Sequence, residues 1–131
     1  MNRVYFLSRL SLAVIFFYHG LIPKLMFGDS QEVEMNEKFM PWLGREFALV
    51  SSGLLELAFA VVLLAWFRSR IPIYCVLVFA MVATMALLFG FPEYFTEAFN
   101  PFSINFSLVM FALINLASAH RVSEVDTSAR T

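Results

Sequence analysis

The sequence has few charged residues and a single cysteine. Aspartate, glutamate, lysine and arginine make up 15% of the 131 residues, whereas soluble domains carry about 25%. The net charge of −1 provides no basic surface that would attract nucleic acid. Cys75 stands alone, which excludes an internal disulfide and a Cys-x-x-Cys redox pair. The composition therefore excludes a secreted, a disordered and a nucleic-acid-binding protein.

Apolar residues dominate the chain. They make up 60% of it, and the mean hydropathy is +0.76. A fold of this size buries only part of its apolar surface, so the surplus is expected to face lipid. A spanning helix needs about 20 apolar residues, and four such runs occur, at residues 4–27, 46–67, 71–91 and 101–120. The sequence predicts an all-α integral membrane four-helix bundle in one domain, residues 1–121, followed by a polar cytoplasmic tail, residues 122–131.

Local signals mark where the third and fourth helices begin. Pro72 stands near the start of the third run, where its missing N–H costs nothing. Asn100-Pro101 is typical of an N-cap followed by proline at the first helical position. Both helices are therefore expected to begin close to these prolines.

The connection of residues 28–45 between the first two runs carries a helix signal of its own. Asp29-Ser30 stands ahead of Glu32, as at the N-terminus of many helices. The segment is either a short helix on the outer membrane surface or a solvated acidic loop with a few apolar anchors. The pattern leaves both open.

Basic residues predict the orientation, because lysine and arginine are retained on the cytoplasmic side. Six of the nine lie on the side of the N-terminus, the second connection and the C-terminus: Arg3, Arg9, Arg68, Arg70, Arg121 and Arg130. The other three lie on the opposite side: Lys24, Lys38 and Arg45. We therefore expect both termini in the cytoplasm, and the protein in the bacterial cytoplasmic (inner) membrane.

Glu56, Arg9 and Lys24 lie inside the apolar runs, where a charge costs about 2.5–3.5 kcal/mol on insertion scales. Glu56 lies at the middle of the second run and is too short to reach either interface. It is either a binding group or a structural, hydrogen-bonded carboxyl. Arg9 and Lys24 lie nearer the ends of the first run, and both are expected to extend toward the head groups.

The segment from His19 to Lys24 is the most unusual in the chain. Pro23 cannot donate to the carbonyl of His19 and its ring clashes there, so a kink or a local break in the helix is expected at a turn that Gly20 loosens. At helical spacing, Arg9, His19, Pro23 and Lys24 share a face of about 140°. This face is either part of a ligand site or a packing kink with a histidine in a polar niche.

Glu56 is expected to pair with His19 in preference to Arg9. Helical side chains lean toward their own N-terminus, and the first two helices run in opposite directions. His19 and Glu56 therefore converge, whereas Arg9 and Glu56 diverge. The candidate polar groups around this pair carry a hydroxyl or an amide: Ser52, Ser103, Ser107 and Asn115.

Catalytic residues and a metal site are not expected. His19 lies in the outer half of its helix and His120 at the cytoplasmic end of the last one, so the two histidines cannot share an ion. The chain has no glycine-rich phosphate loop and no Ser-His-Asp set at one depth.

The run from Arg9 to Lys24 reads Arg-x9-His-Gly-x-x-Pro-Lys and is followed by Gly53-Leu54-Leu55-Glu56. Together these segments resemble the DoxX-like family of small four-helix membrane proteins, over roughly residues 5–120. The resemblance implies a four-helix bundle with these residues at the family's motif positions: Arg9, His19, Gly20, Pro23, Lys24 and Glu56. Members of the wider family look like subunits of quinone-linked redox systems, and eukaryotic relatives are similar to membrane-protein assembly chaperones.

Two functions are therefore weighed. The first is a quinone- or lipid-binding accessory subunit of a membrane redox system, without an intrinsic cofactor, whose electrons come from a partner protein. The second is a non-enzymatic assembly factor or chaperone. A solute or proton carrier is disfavoured because no inverted repeat is apparent. The expected partners are membrane lipid and either a redox protein or a second copy of the chain.

Overall fold

The computed structural model describes the backbone of residues 3–98 and 100–128, with side chains up to residue 119. In this part of the chain five α-helices follow one another, and no strand occurs. The helices are α1 (Arg3–His19), α2 (Ser30–Phe39), α3 (Arg45–Ala65), α4 (Ile71–Gly90) and α5 (Pro101–Ser128). A π-helical segment (Gly20–Met26) continues α1, and short 3-10 turns occupy Pro41–Leu43 and Pro92–Thr96.

Four helical segments of the described chain are long and apolar enough to cross a membrane: Arg3–Met26, Arg45–Ala65, Ile71–Gly90 and Pro101–Ala119. Their ends lie within two residues of the predicted runs, so the all-α prediction with four spans is confirmed. No more than 33% of the most apolar stretch of each is buried. Soluble monomers rarely expose large apolar patches, so these helices are those of an integral membrane protein. Beyond the last span, α5 continues through the polar residues to Ser128.

The helix starts follow the local signals. Asn100 Oδ1 accepts a hydrogen bond from the backbone N–H of Ser103 at 2.9 Å, and Pro72 lies in the first turn of α4. At α2, the Asp29 carboxylate accepts from the backbone N–H groups of Gln31 and Glu32. The connection therefore contains a short helix at Ser30–Phe39, and its position on the outer membrane surface stays a prediction.

The chain divides into two compact units. Unit 1 comprises Met1–Leu12 and Trp66–Thr131. Within it α4 packs on α5, and Ala80 of α4 and Ala112 of α5 are fully buried. Small side chains let two membrane helices approach closely, which is how such helices associate without a hydrophobic driving force.

Unit 2 comprises Ala13–Ala65. The π-helical segment and α2 both pack on α3 in this unit. Its core is formed by apolar side chains of these elements, among them Val33, Ala48, Leu49 and Ala60. Unit 2 thus holds the turn around Pro23 against the helix that carries Glu56.

Candidate functional site

The break in the first span is a change of helix type. Pro23 has no N–H to donate to the carbonyl of His19, and α-helical geometry ends at that residue. Over Gly20–Met26 the helix is a π-helix, and the backbone N–H of Phe27 donates to the carbonyl of Ile22 at 3.2 Å. The predicted break is confirmed, and π-helical turns of this kind occur frequently at functional sites.

Two glycines bring the π-helical segment and α3 into backbone contact. A Cβ on Gly20 would lie 2.6 Å from the carbonyl oxygen of Gly53, and a Cβ on Gly53 would lie 2.9 Å from the carbonyl oxygen of Gly20. No side chain fits at either position. Gly53 stands in the second motif of the sequence, where this packing role was not predicted.

A buried ion pair lies next to this crossing. The Lys24 ammonium is 2.5 Å from Glu56 Oε1 and 3.5 Å from Glu32 Oε2 of α2. The Lys24 and Glu56 side chains are only 9% and 14% exposed. Glu56 Oε2 is buried and has no hydrogen-bond partner among the described residues. The cluster therefore retains one carboxylate oxygen that can accept a further hydrogen bond.

The predicted pairing of Glu56 with His19 is wrong, and so is the expectation that Lys24 extends to the head groups. The lean of helical side chains toward their own N-terminus applies to Lys24 as well as to His19, and the lysine stem is longer. A full positive charge also stabilises a buried carboxylate better than a neutral imidazole does. His19 is half-buried, and its ring lies edge-on to Tyr18.

Arg9 belongs to unit 1, where it is fully buried. Its guanidinium donates to the Trp66 carbonyl at 2.7 Å and to the Tyr5 hydroxyl at 3.2 Å. The Tyr5 hydroxyl in turn donates to the carbonyl of Phe67 at 2.5 Å. The expectation that Arg9 extends to the head groups is therefore wrong, because the turn at residues 66–67 supplies carbonyl acceptors inside the protein.

Asn115 belongs to the same unit and is also fully buried. Its Nδ2 donates to the Tyr5 carbonyl at 2.9 Å and to Ser8 Oγ at 3.0 Å. This network ties α5 to the first turns of α1 and has the character of a structural core. Neither Tyr5 nor Ser8 was predicted to take part, because nothing in their spacing distinguishes them from other polar residues near a helix end.

The three candidate serines form hydrogen bonds within their own helical turns. Ser52 donates to the carbonyl of Leu49, a residue three positions earlier. Ser103 donates to the carbonyl of Asn100, also three positions earlier. Ser107 donates to the carbonyl of Ser103, four positions earlier. Ser103 is exposed. The side chain of His120, named above as a potential metal ligand and rejected, lies outside the described residues.

The predicted set thus divides between the two units. Unit 2 brings together Gly20, Pro23, Lys24 and Glu56, whereas unit 1 holds Arg9 and Asn115 in a separate network. Glu32 joins the first group from α2, although its sequence position predicted only the start of a helix. The cluster around Lys24 and Glu56 combines a buried charge pair, a non-α turn and an unused acceptor, so we take it as the candidate functional site.

The sequence model of the DoxX-like family matches residues 13–114. The matched range contains all of unit 2, and therefore the whole cluster around Lys24 and Glu56. No curated protein and no solved structure matches the chain.

Proposed function

This chain belongs to the DoxX-like family, and we propose that it is a quinone-binding accessory protein of a redox system in the bacterial cytoplasmic membrane. Lys24 and Glu56 form the polar end of the proposed binding site. Glu56 Oε2, buried and without a hydrogen-bond partner among the described residues, is the observation that carries this proposal. A buried acceptor left unpaired costs about 1–3 kcal/mol, and a ligand with a hydroxyl group would recover that energy.

The charge pair suits both oxidation states of a quinone. An ammonium group has three donors, and the two carboxylates around Lys24 leave one of them for a ligand carbonyl. The carboxylate of Glu56 accepts from a ligand hydroxyl through Oε2. When bound, a quinone supplies reversible two-electron, two-proton chemistry. Glu56 and Lys24 would orient the ring oxygen and hold a proton at the carboxylate or the ammonium.

Aromatic side chains lie one helical turn from Gly20 and from Glu56. Phe16 precedes Gly20 by four residues and Phe59 follows Glu56 by three, so each shares a helix face with the cluster. Their rings meet edge to face with centroids 4.9 Å apart. They offer an apolar wall of the kind that small-molecule sites place beside a few polar groups.

The accessory role is supported by the kinds of reactive side chain that this sequence contains. Its single cysteine forms no thiol pair, and its ionisable groups bind and exchange protons rather than electrons. Under this proposal the electrons come from a partner protein in the same membrane, and the chain presents the quinone to that partner.

Purification in mild detergent followed by extraction and mass spectrometry tests the proposal. We expect a quinone to be enriched over its share of the bulk membrane lipid, and to be depleted several-fold in Glu56→Gln. Glu46→Gln is the matched control, because it makes the same change at an exposed position of α3. Thermal melting of all three proteins separates loss of the ligand from loss of the fold.

Two results would overturn the proposal. One is bound phospholipid without any enrichment of quinone. The other is a co-purifying protein with no small molecule, which would favour the assembly factor. Equal quinone content in Glu56→Gln and wild type would show that Glu56 is not part of the quinone site.

A further inference from the structure

A cavity that is open to the surface lies where α2, the 3-10 turn Pro41–Leu43 and the start of α3 meet. Its volume is about 190 Å³. Its polar lining includes Asn36, Glu37 and Arg45, and its apolar lining includes Met40, Pro41 and Ala48. It shares none of the residues of the Lys24–Glu56 pair.

Asn36 lines this cavity and carries an unpaired donor. The residue is 7% exposed, and its Nδ2 is buried without a hydrogen-bond partner among the described residues. Buried amide groups in native proteins are nearly always hydrogen-bonded. The terminal torsion of asparagine is soft, so the amide can rotate to present an N–H group to an acceptor inside the cavity. An acceptor group of a ligand in the cavity would satisfy this donor.

Two opposite charges lie at the rim. Arg45 Nε is 3.9 Å from Glu37 Oε1, and the two side chains are 64% and 55% exposed. This separation is too long for a hydrogen bond, and exposed pairs of this kind are weakly held. Each charge is consequently available to a ligand group of the opposite sign.

The charges favour a zwitterion over an anion. Residues 28–45 contain four acidic and two basic side chains, so a purely anionic ligand would meet net repulsion. A ligand that carries an ammonium as well would be attracted by Glu37. The apolar part of the lining suits the carbon atoms that join the two charged groups.

We propose that this cavity binds a zwitterionic head group in which a short carbon chain joins an ammonium to a phosphate. The phosphate oxygens accept from Asn36 Nδ2 and Arg45, and the ammonium donates to Glu37. Phosphoethanolamine has this chemistry, and it is present both in the head group of phosphatidylethanolamine and as a free small molecule.

Native mass spectrometry of the full chain in detergent tests the site. The protein is titrated with short-chain phosphatidylethanolamine, with phosphatidylglycerol, which lacks the ammonium, and with free phosphoethanolamine. We expect saturable binding of phosphatidylethanolamine that weakens at least tenfold in Asn36→Asp, which replaces the donor by an acceptor. Asn100→Asp is the matched control, because it adds the same charge at a helix N-cap that aspartate also satisfies.

A second variant keeps the test independent of folding. Glu37 is exposed, so Glu37→Gln leaves the core intact and is expected to reduce the preference for phosphatidylethanolamine over phosphatidylglycerol. Binding of free phosphoethanolamine as tight as that of the lipid identifies a soluble ligand, and binding of the lipid alone identifies a membrane one. Equal affinity for both lipids in the wild type, or unchanged affinity in Asn36→Asp, would overturn the proposal.

Discussion

Gly20 and Gly53 approach each other so closely that each excludes a side chain on the other. The nearest contact of a Cβ built on Gly20 is the carbonyl oxygen of Gly53, at 2.6 Å. Because this contact is with backbone, no rotamer change can relieve it. The approach of the two backbones also places Lys24 of the π-helical segment within reach of Glu56 of α3.

Gly20→Ala is therefore expected to destabilise the protein. Forcing an extra methyl group into a packed interface costs about 1–3 kcal/mol, and the shift it requires should separate Lys24 from Glu56. Unfolding in detergent measures the cost. Ala58→Leu is the control, since it adds bulk at an exposed position of α3, the helix on which Gly20 packs, and surface changes stay within about 0.5 kcal/mol. Equal stability of the two variants would contradict the close contact.

Breaking the Lys24–Glu56 pair should lower the free energy of unfolding, and the effect of removing one partner should depend on whether the other is present. Removing one member of a buried ion pair costs about 3–5 kcal/mol, because the other charge is left uncompensated. We expect Lys24→Met to fall in or just below this range, since both side chains retain a little exposure. The double variant Lys24→Met, Glu56→Leu should lose less than the sum of the single variants.

The exposed pair of Arg45 and Glu37 provides the control for that cycle. It lies in the same unit at 3.9 Å, and exposed pairs contribute about 0–1 kcal/mol. Arg45→Gln should therefore change the free energy of unfolding little. Strict additivity in the Lys24–Glu56 cycle would show that the two groups do not interact.

Arg9→Lys should destabilise unit 1 although it conserves the charge. The planar guanidinium reaches the Trp66 carbonyl and the Tyr5 hydroxyl at once and lies near the rings of Tyr5 and Phe67. An ammonium cannot reproduce that fork, and a hydrogen bond from a charged group contributes about 1.5–3 kcal/mol. Chemical unfolding measures the loss. Arg3→Lys, at an exposed position, should leave the free energy of unfolding unchanged. A similar loss there would mean that the planar geometry of the Arg9 guanidinium is not the cause.

Features governed by local chemistry could be predicted from the sequence. The four apolar runs of spanning length form four helices. Asn100 caps α5, as expected for an asparagine that precedes a helix. Pro23 interrupted the first span because a missing N–H acts within one turn, whatever the rest of the protein does. For α2 the sequence allows both a short helix and a loop. In the structure Asp29 caps a helix.

The partners of the buried polar groups could not be predicted in the same way. They depend on the rotation of each helix and on the register between helices, and a pattern of apolar residues fixes neither closely. His19 and Lys24 lie one turn apart, so a small rotation decides which of them meets Glu56. Arg9 found its acceptors in the turn at residues 66–67, far away in the sequence, and no local signal marks those carbonyls.

The orientation of the four spans remains a prediction, and the single cysteine of the chain makes it measurable. Replacing Cys75, which lies in α4, gives a background without thiols. Glu34→Cys then places a thiol at an exposed position of α2, and Thr131→Cys places one at the C-terminus. Because the basic residues favour cytoplasmic termini, a membrane-impermeant maleimide should label the Glu34→Cys variant in intact cells and the Thr131→Cys variant only after permeabilisation. Acidic residues contribute little to orientation, so losing Glu34 should not itself invert the protein. The reverse labelling pattern would show that the termini face away from the cytoplasm.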